Sequence, residues 1–228
     1  MAQETPGLVG VTWQWTHFAS GAEEYDVPTV NYTITFADDG MFHAKADCNV
    51  VLGTYTVEDS TITILPGPTT LALCSPESLG GKYTLYLSQA AVFSFTDDGD
   101  LLLEAPADSG TMTFSAQPQV SGTVTYRVRM ALPDDVVVRV QVQDVSIADA
   151  PTMIIGEQVI HPDGAQVPIP FVVSYPADAV VDSRSYSVSA RITDGEGRLL
   201  FITDTKTPVI TDGNPTSDIE LVLVRVGS

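Results

Sequence analysis

Cys48 and Cys74 are the two thiols of this 228-residue chain, and no CxxC or CxxxC spacing accompanies them. Zinc and redox motifs of the familiar kind therefore do not describe them. A disulfide is the favoured reading, and a pair of unrelated buried thiols is the alternative. A bridge closing a loop of this size would restrict the unfolded chain, worth about 3 kcal/mol in the chain-entropy account. Asn49, directly after Cys48, suits a bend in which its amide bonds backbone groups and aims the cysteine at its partner. His17, His43 and His161 lie far from one another and from both cysteines. Without a His-x-x-x-His pair or a nucleophile elbow they are expected at surface or turn positions, and no enzyme activity is expected.

Hard cations want clustered oxygens, so the acidic turns Asp38-Asp39-Gly40, Asp97-Asp98-Gly99-Asp100 and Asp194-Gly195-Glu196-Gly197 need weighing. None has the spacing of an EF-hand loop. Asp and Gly are also what tight hairpins require, so Asp38, Asp39, Asp97, Asp98 and Asp100 stay weak metal candidates, and no cofactor is expected. Trp13 and Trp15 stand two apart on one face of an opening strand, with His17 next in that register. They are the candidate recognition residues: burial is the ordinary reading of such a pair and is expected for Trp13, and the rim of an apolar groove is the alternative for Trp15.

What positions these residues is read from periodicity. Helical spacing is scarce, whereas alternation with period two recurs throughout, bounded by Gly, Pro, Asn and Asp. Tyr32-Ile34-Phe36 turns through Asp38-Asp39-Gly40 into a strand from Met41, a hairpin signal. Gly53 to Val57 and Thr61 to Ile64 have the register of a second pair. Val92 to Phe95 and Leu101 to Glu104 form another hairpin, and Thr111 to Phe114 a closing strand. Across residues 78–91 the pattern itself is indecisive, since Gly80, Gly81 and the Tyr83-Leu85-Leu87 alternation weaken a helix there.

Residues 116–119 lack apolar periodicity and are read as a linker between two domains, 7–115 and 120–226, after a tail at 1–6. In the second half, Val124-Tyr126-Val128-Met130 and Val136-Val138-Val140-Val142 alternate, followed by further strand patterns at 158–160, 168–175, 186–192, 199–202 and 219–223. About seven short strands predict a β-sandwich, with Pro168 and Pro170 suited to an edge. The whole is all-β.

Charge limits the partners. Asp and Glu number 29 against 10 Lys and Arg, a formal net charge of -19. Such a surface repels phosphate and anionic lipid, so no nucleic acid partner is expected. No run of about 18 apolar residues marks a transmembrane segment. Because residues 1–6 lack a signal region, either the protein is cytosolic or its native export signal is missing from this sequence.

Residues 7–115 resemble the META domain family, heat-shock protein HslJ-like. The landmarks are Leu8-Val9-Gly10-Val11-Thr12-Trp13, Phe36-Ala37-Asp38-Asp39-Gly40, Cys48-Asn49, Gly53-Thr54-Tyr55 and Thr70-Leu71-Ala72-Leu73-Cys74. Residues 120–226 resemble the YbaY and YscW group of type III secretion pilotin or lipoprotein chaperones. They do so through Gly122-Thr123-Val124-Thr125-Tyr126-Arg127, Ala131-Leu132-Pro133, Pro168-Ile169-Pro170-Phe171 and Thr207-Pro208-Val209-Ile210-Thr211. These resemblances imply a META-like antiparallel domain with one short helix, at residues 78–91, then an immunoglobulin- or transthyretin-like sandwich. They imply an extracytoplasmic protein, periplasmic, cell-surface or secreted, with a lipid anchor in its precursor and an unidentified protein partner. A small-ligand (lipid) binding stress module and a calcium-dependent adhesion module are the alternatives.

Overall fold

The computed structural model describes residues 7–28, 31–147 and 152–227, and the expected tail at 1–6 lies outside them. The chain divides between Gln117 and Pro118 into two compact units. In the first, the strands are β1 Thr12–Ala19, β2 Glu24–Asp26, β3 Tyr32–Phe36, β4 Met41–Ala46, β5 Asn49–Glu58, β6 Thr61–Thr69, β7 Val92–Phe95, β8 Leu101–Glu104 and β9 Thr111–Ala116. Helix α1, Gly80–Gln89, follows β6. All neighbours from β3 to β9 pair in sequence order, and β1 pairs both β3 and β9, so the sheet closes into a barrel with β2 added along β1. Strands β6 and β7 meet only at Thr61 opposite Val92, so beyond that residue the outer edge of β6 has no described strand beside it, and α1 packs against β6.

The acidic hairpins form as turn chemistry dictates. Gly40 and Gly99 sit at φ 80° and 88°, a left-handed conformation that glycine adopts without Cβ strain. The Asp39 side chain accepts the Met41 N–H at 2.9 Å, and Thr96 and Asp100 close the other turn backbone to backbone.

Strand β1 departs from its simple alternation. Its pairing with β9 skips Thr16, between Trp15 opposite Phe114 and His17 opposite Thr113. This bulge inverts the parity beyond it. Trp13, Trp15 and Phe18 therefore face inward, and His17, expected on the tryptophan face, turns out toward β2. The barrel interior is filled by aromatic side chains, with Trp15 stacked on Tyr83 at 5.4 Å and edge-to-face with Tyr32 at 5.7 Å.

Helix α1 occupies most of the predicted segment despite its glycines. Tyr83 and Leu87, one turn apart, are buried, while Leu85 between them is exposed, so the apparent period of two is the visible part of an i, i+4 stripe. Gly80 sits close to β4: a Cβ there would stand 3.1 Å from the Ala46 carbonyl oxygen, a tight contact that a small shift would have to relieve. The Tyr32 hydroxyl accepts the Leu79 N–H at 2.7 Å and helps satisfy the helix start.

The second unit holds β10 Gln119–Tyr126, β11 Val137–Asp144, β12 Met153–Ile160, β13 Ile169–Ser174, β14 Tyr186–Thr193, β15 Leu199–Ile202, β16 Thr207–Val209 and β17 Ile219–Arg225. The order is β12-β11-β14-β15-β17-β10-β13, with β16 paired to β14, and both ends of this path contribute to one apolar core. Strand β17 runs parallel to β10 through Leu223 and then pairs β15 through Val224 and Arg225, linking the two layers. A Cβ at Gly122 would collide with the backbone of Ile219, so glycine is what lets β10 and β17 approach. Pro170 lies in β13, a terminal strand, where a missing N–H costs no ladder bond on the open side.

Two sequence expectations need correction here. The run Val124-Tyr126-Val128-Met130 is not one strand: β10 ends at Tyr126, whose hydroxyl reaches the Met130 carbonyl at 2.7 Å across a tight bend, leaving Val128 and Met130 exposed. The sandwich has an additional short strand, β16, whose Pro208 and three-residue length conceal its pairing with Tyr186 to Val188.

Candidate functional site

The chemistry that can be located on this molecule centres on the β4–β5 hairpin. Asp47 and Cys48 form its turn, and Asp47 takes φ 64° there while its N–H bonds the Asn31 carbonyl at 2.9 Å. Cys48 is thereby presented to Cys74, and the two are joined in a disulfide with Cα atoms 5.5 Å apart, within the ordinary span of such a bridge. Asn49 then does more than shape a bend. Its Oδ1 accepts the Ala72 N–H at 2.7 Å and the Thr70 hydroxyl at 3.0 Å, while Nδ2 donates to the Ala72 carbonyl at 3.1 Å and to Cys74 Sγ at 3.2 Å. Both faces of the carboxamide are used. Thr70 completes the arrangement, donating its N–H to the Val50 carbonyl at 3.0 Å and accepting the Val50 N–H on Oγ1 at 2.9 Å.

The chain from Thr70 to Cys74 is therefore clamped along the start of β5, without being a strand itself. Its odd-numbered side chains are left out in solvent: Leu71 is 94% and Leu73 102% exposed. The spacing of the sequence did not single out these leucines. The signal that could have found them is the charge-free run 61–76 in a chain this acidic.

The other candidates fall elsewhere. Trp13 and Trp15 are both fully buried, so Trp15 is a core residue and not a groove rim; its indole N–H donates to the His17 carbonyl at 2.8 Å. The Asp38 and Asp39 turn and the Asp97, Asp98 and Asp100 turn belong to separate hairpins, and Asp100 accepts the Ser115 hydroxyl at 2.8 Å. Among the described residues no three His, Cys, Asp or Glu side chains group closely enough to hold a metal ion. His17 Nδ1 contacts Asp26 at 2.9 Å and Nε2 contacts Glu24 at 3.5 Å, whereas His43 and His161 are exposed. Beside the helix, Phe18, Tyr86, Leu103 and Met112 line a pocket with room for about one water molecule, far too small for an acyl chain.

An ionic cluster that the sequence did not reveal joins β1's far end to α1. Tyr86 donates its hydroxyl to Glu23 at 2.7 Å, and Lys82 reaches the same carboxylate at 3.0 Å while lying over the Tyr25 ring. The Tyr86 hydroxyl, then Lys82, hold the Glu23 carboxyl below its ordinary range. Phe18 stacks on Tyr86 at 4.3 Å, so the cluster ties the helix to the barrel. Glu23, Lys82 and Tyr86 satisfy one another, while the buried Tyr25 hydroxyl has no hydrogen-bond partner among the described residues.

Comparison with known proteins follows the same division of the chain. The META domain family matches residues 6–119, and the family described as type III secretion system lipoprotein chaperone (YscW) matches residues 115–221. The uncharacterized lipoprotein YbaY of Escherichia coli (strain K12) is 37% identical over 147 residues, covering 61% of this chain and 76% of YbaY. The chain belongs to the META domain family and is a relative of YbaY, with a YscW-like domain as its second unit. Among solved structures, this META and YscW-like chain is similar to an alternative pilotin from the type II secretion system of Vibrio cholerae. The identity is 45%, covering 48% of this chain and 97% of the pilotin, with a TM-score of 0.46. A DUF4847 family protein from Bacteroides vulgatus matches at 18% identity over 47% of this chain and 93% of its own, with a TM-score of 0.39. No helix among the described residues is long and apolar enough to cross a membrane.

Proposed function

We propose that this protein is a non-catalytic component of the cell envelope that binds another protein and escorts or stabilises it, held there by a lipid anchor on its precursor. The observation that carries the reading is the match of the second unit to lipoprotein chaperones of a secretion system, alongside a lipoprotein relative. A fold by itself would not define the activity. The chemistry of the site agrees: the features that stand out are a cross-linked, hydrogen-bonded loop presenting apolar side chains, and such features serve contact with a partner.

Affinity capture from the native envelope fraction tests the reading, with the whole chain and each unit as bait. A partner retained by the whole chain and by the unit from Pro118 onward supports it. If no bait retains anything above a blank matrix, the escort role is lost. The anchor is tested separately, by mass spectrometry of the mature protein for an acylated N-terminus.

A further inference from the structure

Single exposed leucines need no explanation on a protein surface, but Leu71 and Leu73 are the most exposed large apolar side chains described, on a segment that is not free to turn them inward. The Cys48–Cys74 bridge, the side-chain bonds of Asn49 and the Thr70 to Val50 pair fix the backbone on either side of Ala72. The cost of ordering the segment is thus met within the fold, before any partner arrives. Leu52 and Leu65, on the outer wall of β5 and β6 that leads into the loop, are 44% and 61% exposed and extend the apolar surface. Residues 49–57 and 61–76 contain no Asp, Glu, Lys or Arg, so charge borders this face from neighbouring segments, as with Lys45 opposite Val50 in β4.

We infer that Leu71 and Leu73 are a preorganised anchor pair for a basic amphipathic segment of a client protein, which receives the leucines in its apolar face and sets Lys or Arg against an acidic border. The inference rests on the partner-binding reading above. Charge selects this occupant. Asp47 and the exposed Glu77 flank the loop against the one positive charge of nearby Lys45, which donates to the neutral Asn31 amide at 2.9 Å, and the chain as a whole carries -19. An anionic lipid surface is repelled by that charge, and the loop has none of the Trp, Tyr, Lys or Arg that anchor interfacial segments. A second copy of the chain brings the same acidity, and two leucines on each side fall well short of the roughly 800 Å² per partner of a stable interface.

The test uses the full chain and four probes: a labelled amphipathic peptide of Leu and Lys, its Leu and Glu counterpart, a Ser and Lys peptide of equal charge, and phosphatidylcholine vesicles. Binding is read by fluorescence anisotropy for the peptides and by co-sedimentation for the vesicles. The Leu and Lys peptide is expected to bind at least tenfold more tightly than either other peptide, and L71S/L73S is expected to remove that preference with an unchanged melting temperature. Asn49→Ala, which keeps both leucines but loosens the loop, should weaken the same binding severalfold. Equal affinity of L71S/L73S and the parent chain overturns the inference, as does equal binding of the Leu and Glu peptide or preferential binding to the vesicles. If L71S/L73S still captures the envelope partner undiminished, the anchor assignment fails while the escort role stands; if the parent chain captures none, the escort role itself fails.

Discussion

The side chain of Asn49 pairs with the backbone of Ala72 as one strand residue pairs with another, accepting its N–H at 2.7 Å and donating to its carbonyl at 3.1 Å. A side-chain amide thus stands in for a peptide group and continues the sheet surface past the end of β6. Asn49→Ala removes both bonds at once and leaves Ala72 to solvent. The loss is expected to be about 1–2 kcal/mol in denaturant melts, with faster amide exchange at Ala72 as the local signature. An unchanged exchange rate would show that the disulfide alone holds the segment.

The bridge itself is expected to contribute roughly 3 kcal/mol, since it closes a loop whose entropy the reduced unfolded chain regains. Cys48→Ser with Cys74→Ser should lower the unfolding free energy extrapolated from urea melts by that amount, and the parent chain in reductant should fall to the same value. Intact mass after alkylation in denaturant without reductant should show no label; two labels per chain would contradict the bridge.

Tyr83 offers a prediction of the opposite sign. Its hydroxyl is wholly buried, its pKa is driven well up by desolvation, and it has no hydrogen-bond partner among the described residues. Removing an unpaired buried hydroxyl while keeping the ring stacked on Trp15 relieves a desolvation penalty. Tyr83→Phe is expected to stabilise the first unit by about 1 kcal/mol, whereas Trp15→Ala should cost about 3–5 kcal/mol through the cavity it leaves. A destabilised Tyr83→Phe would mean that the hydroxyl has a partner, such as an internal water.

How far these features were legible depends on how local they are. The hairpin around Asp38-Asp39-Gly40 and the alternation of Tyr32, Ile34 and Phe36 could be read because turn chemistry and side-chain parity are decided within a few residues. Closure of the barrel could not: it depends on β1 meeting β9, with Thr16 bonding Thr113 across 97 positions of sequence. The Thr16 bulge has no residue signature, so the outward turn of His17 was hidden as well. At the site, two cysteines in the whole chain made the bridge readable. The exposure of Leu71 and Leu73 was not, because leucines in an apolar run look like core until the clamp on their backbone is seen.

Two glycines separate proximity from conformational freedom. A Cβ at Gly122 would strike the Ile219 backbone where β10 and β17 run parallel, while a Cβ at Gly81 in α1 would meet nothing within 4 Å. Gly122→Val should therefore cost several kcal/mol, roughly 3 or more, and be seen as loss of the second unit's unfolding transition. Gly81→Ala should stabilise the first unit by about 0.5 kcal/mol, by narrowing the unfolded ensemble. Equal effects of the two would refute the close approach of β10 and β17.

Asp194 makes stability depend on acidity in a definite direction. Its Oδ1 accepts the backbone N–H groups of Arg198 at 2.9 Å and Glu196 at 3.1 Å, and its Oδ2 accepts Arg198 Nε at 2.7 Å. The Arg198 backbone bond is the largest of the influences that hold this carboxyl below the usual Asp range. The unfolded chain, with an Asp pKa of about 3.9, therefore takes up the proton first. The stabilisation is complete above that value and is lost as pH falls through the lower, folded one. Asp194→Asn lacks the negative charge and turns an amide N–H₂ toward the guanidinium if Oδ1 keeps its backbone donors. Its melting temperature should lie below that of the parent at neutral pH. The gap should stay constant down to about pH 4 and close at more acid pH. A gap that persists unchanged through that acid range would mean that shape, and not charge, is what Asp194 contributes to this turn.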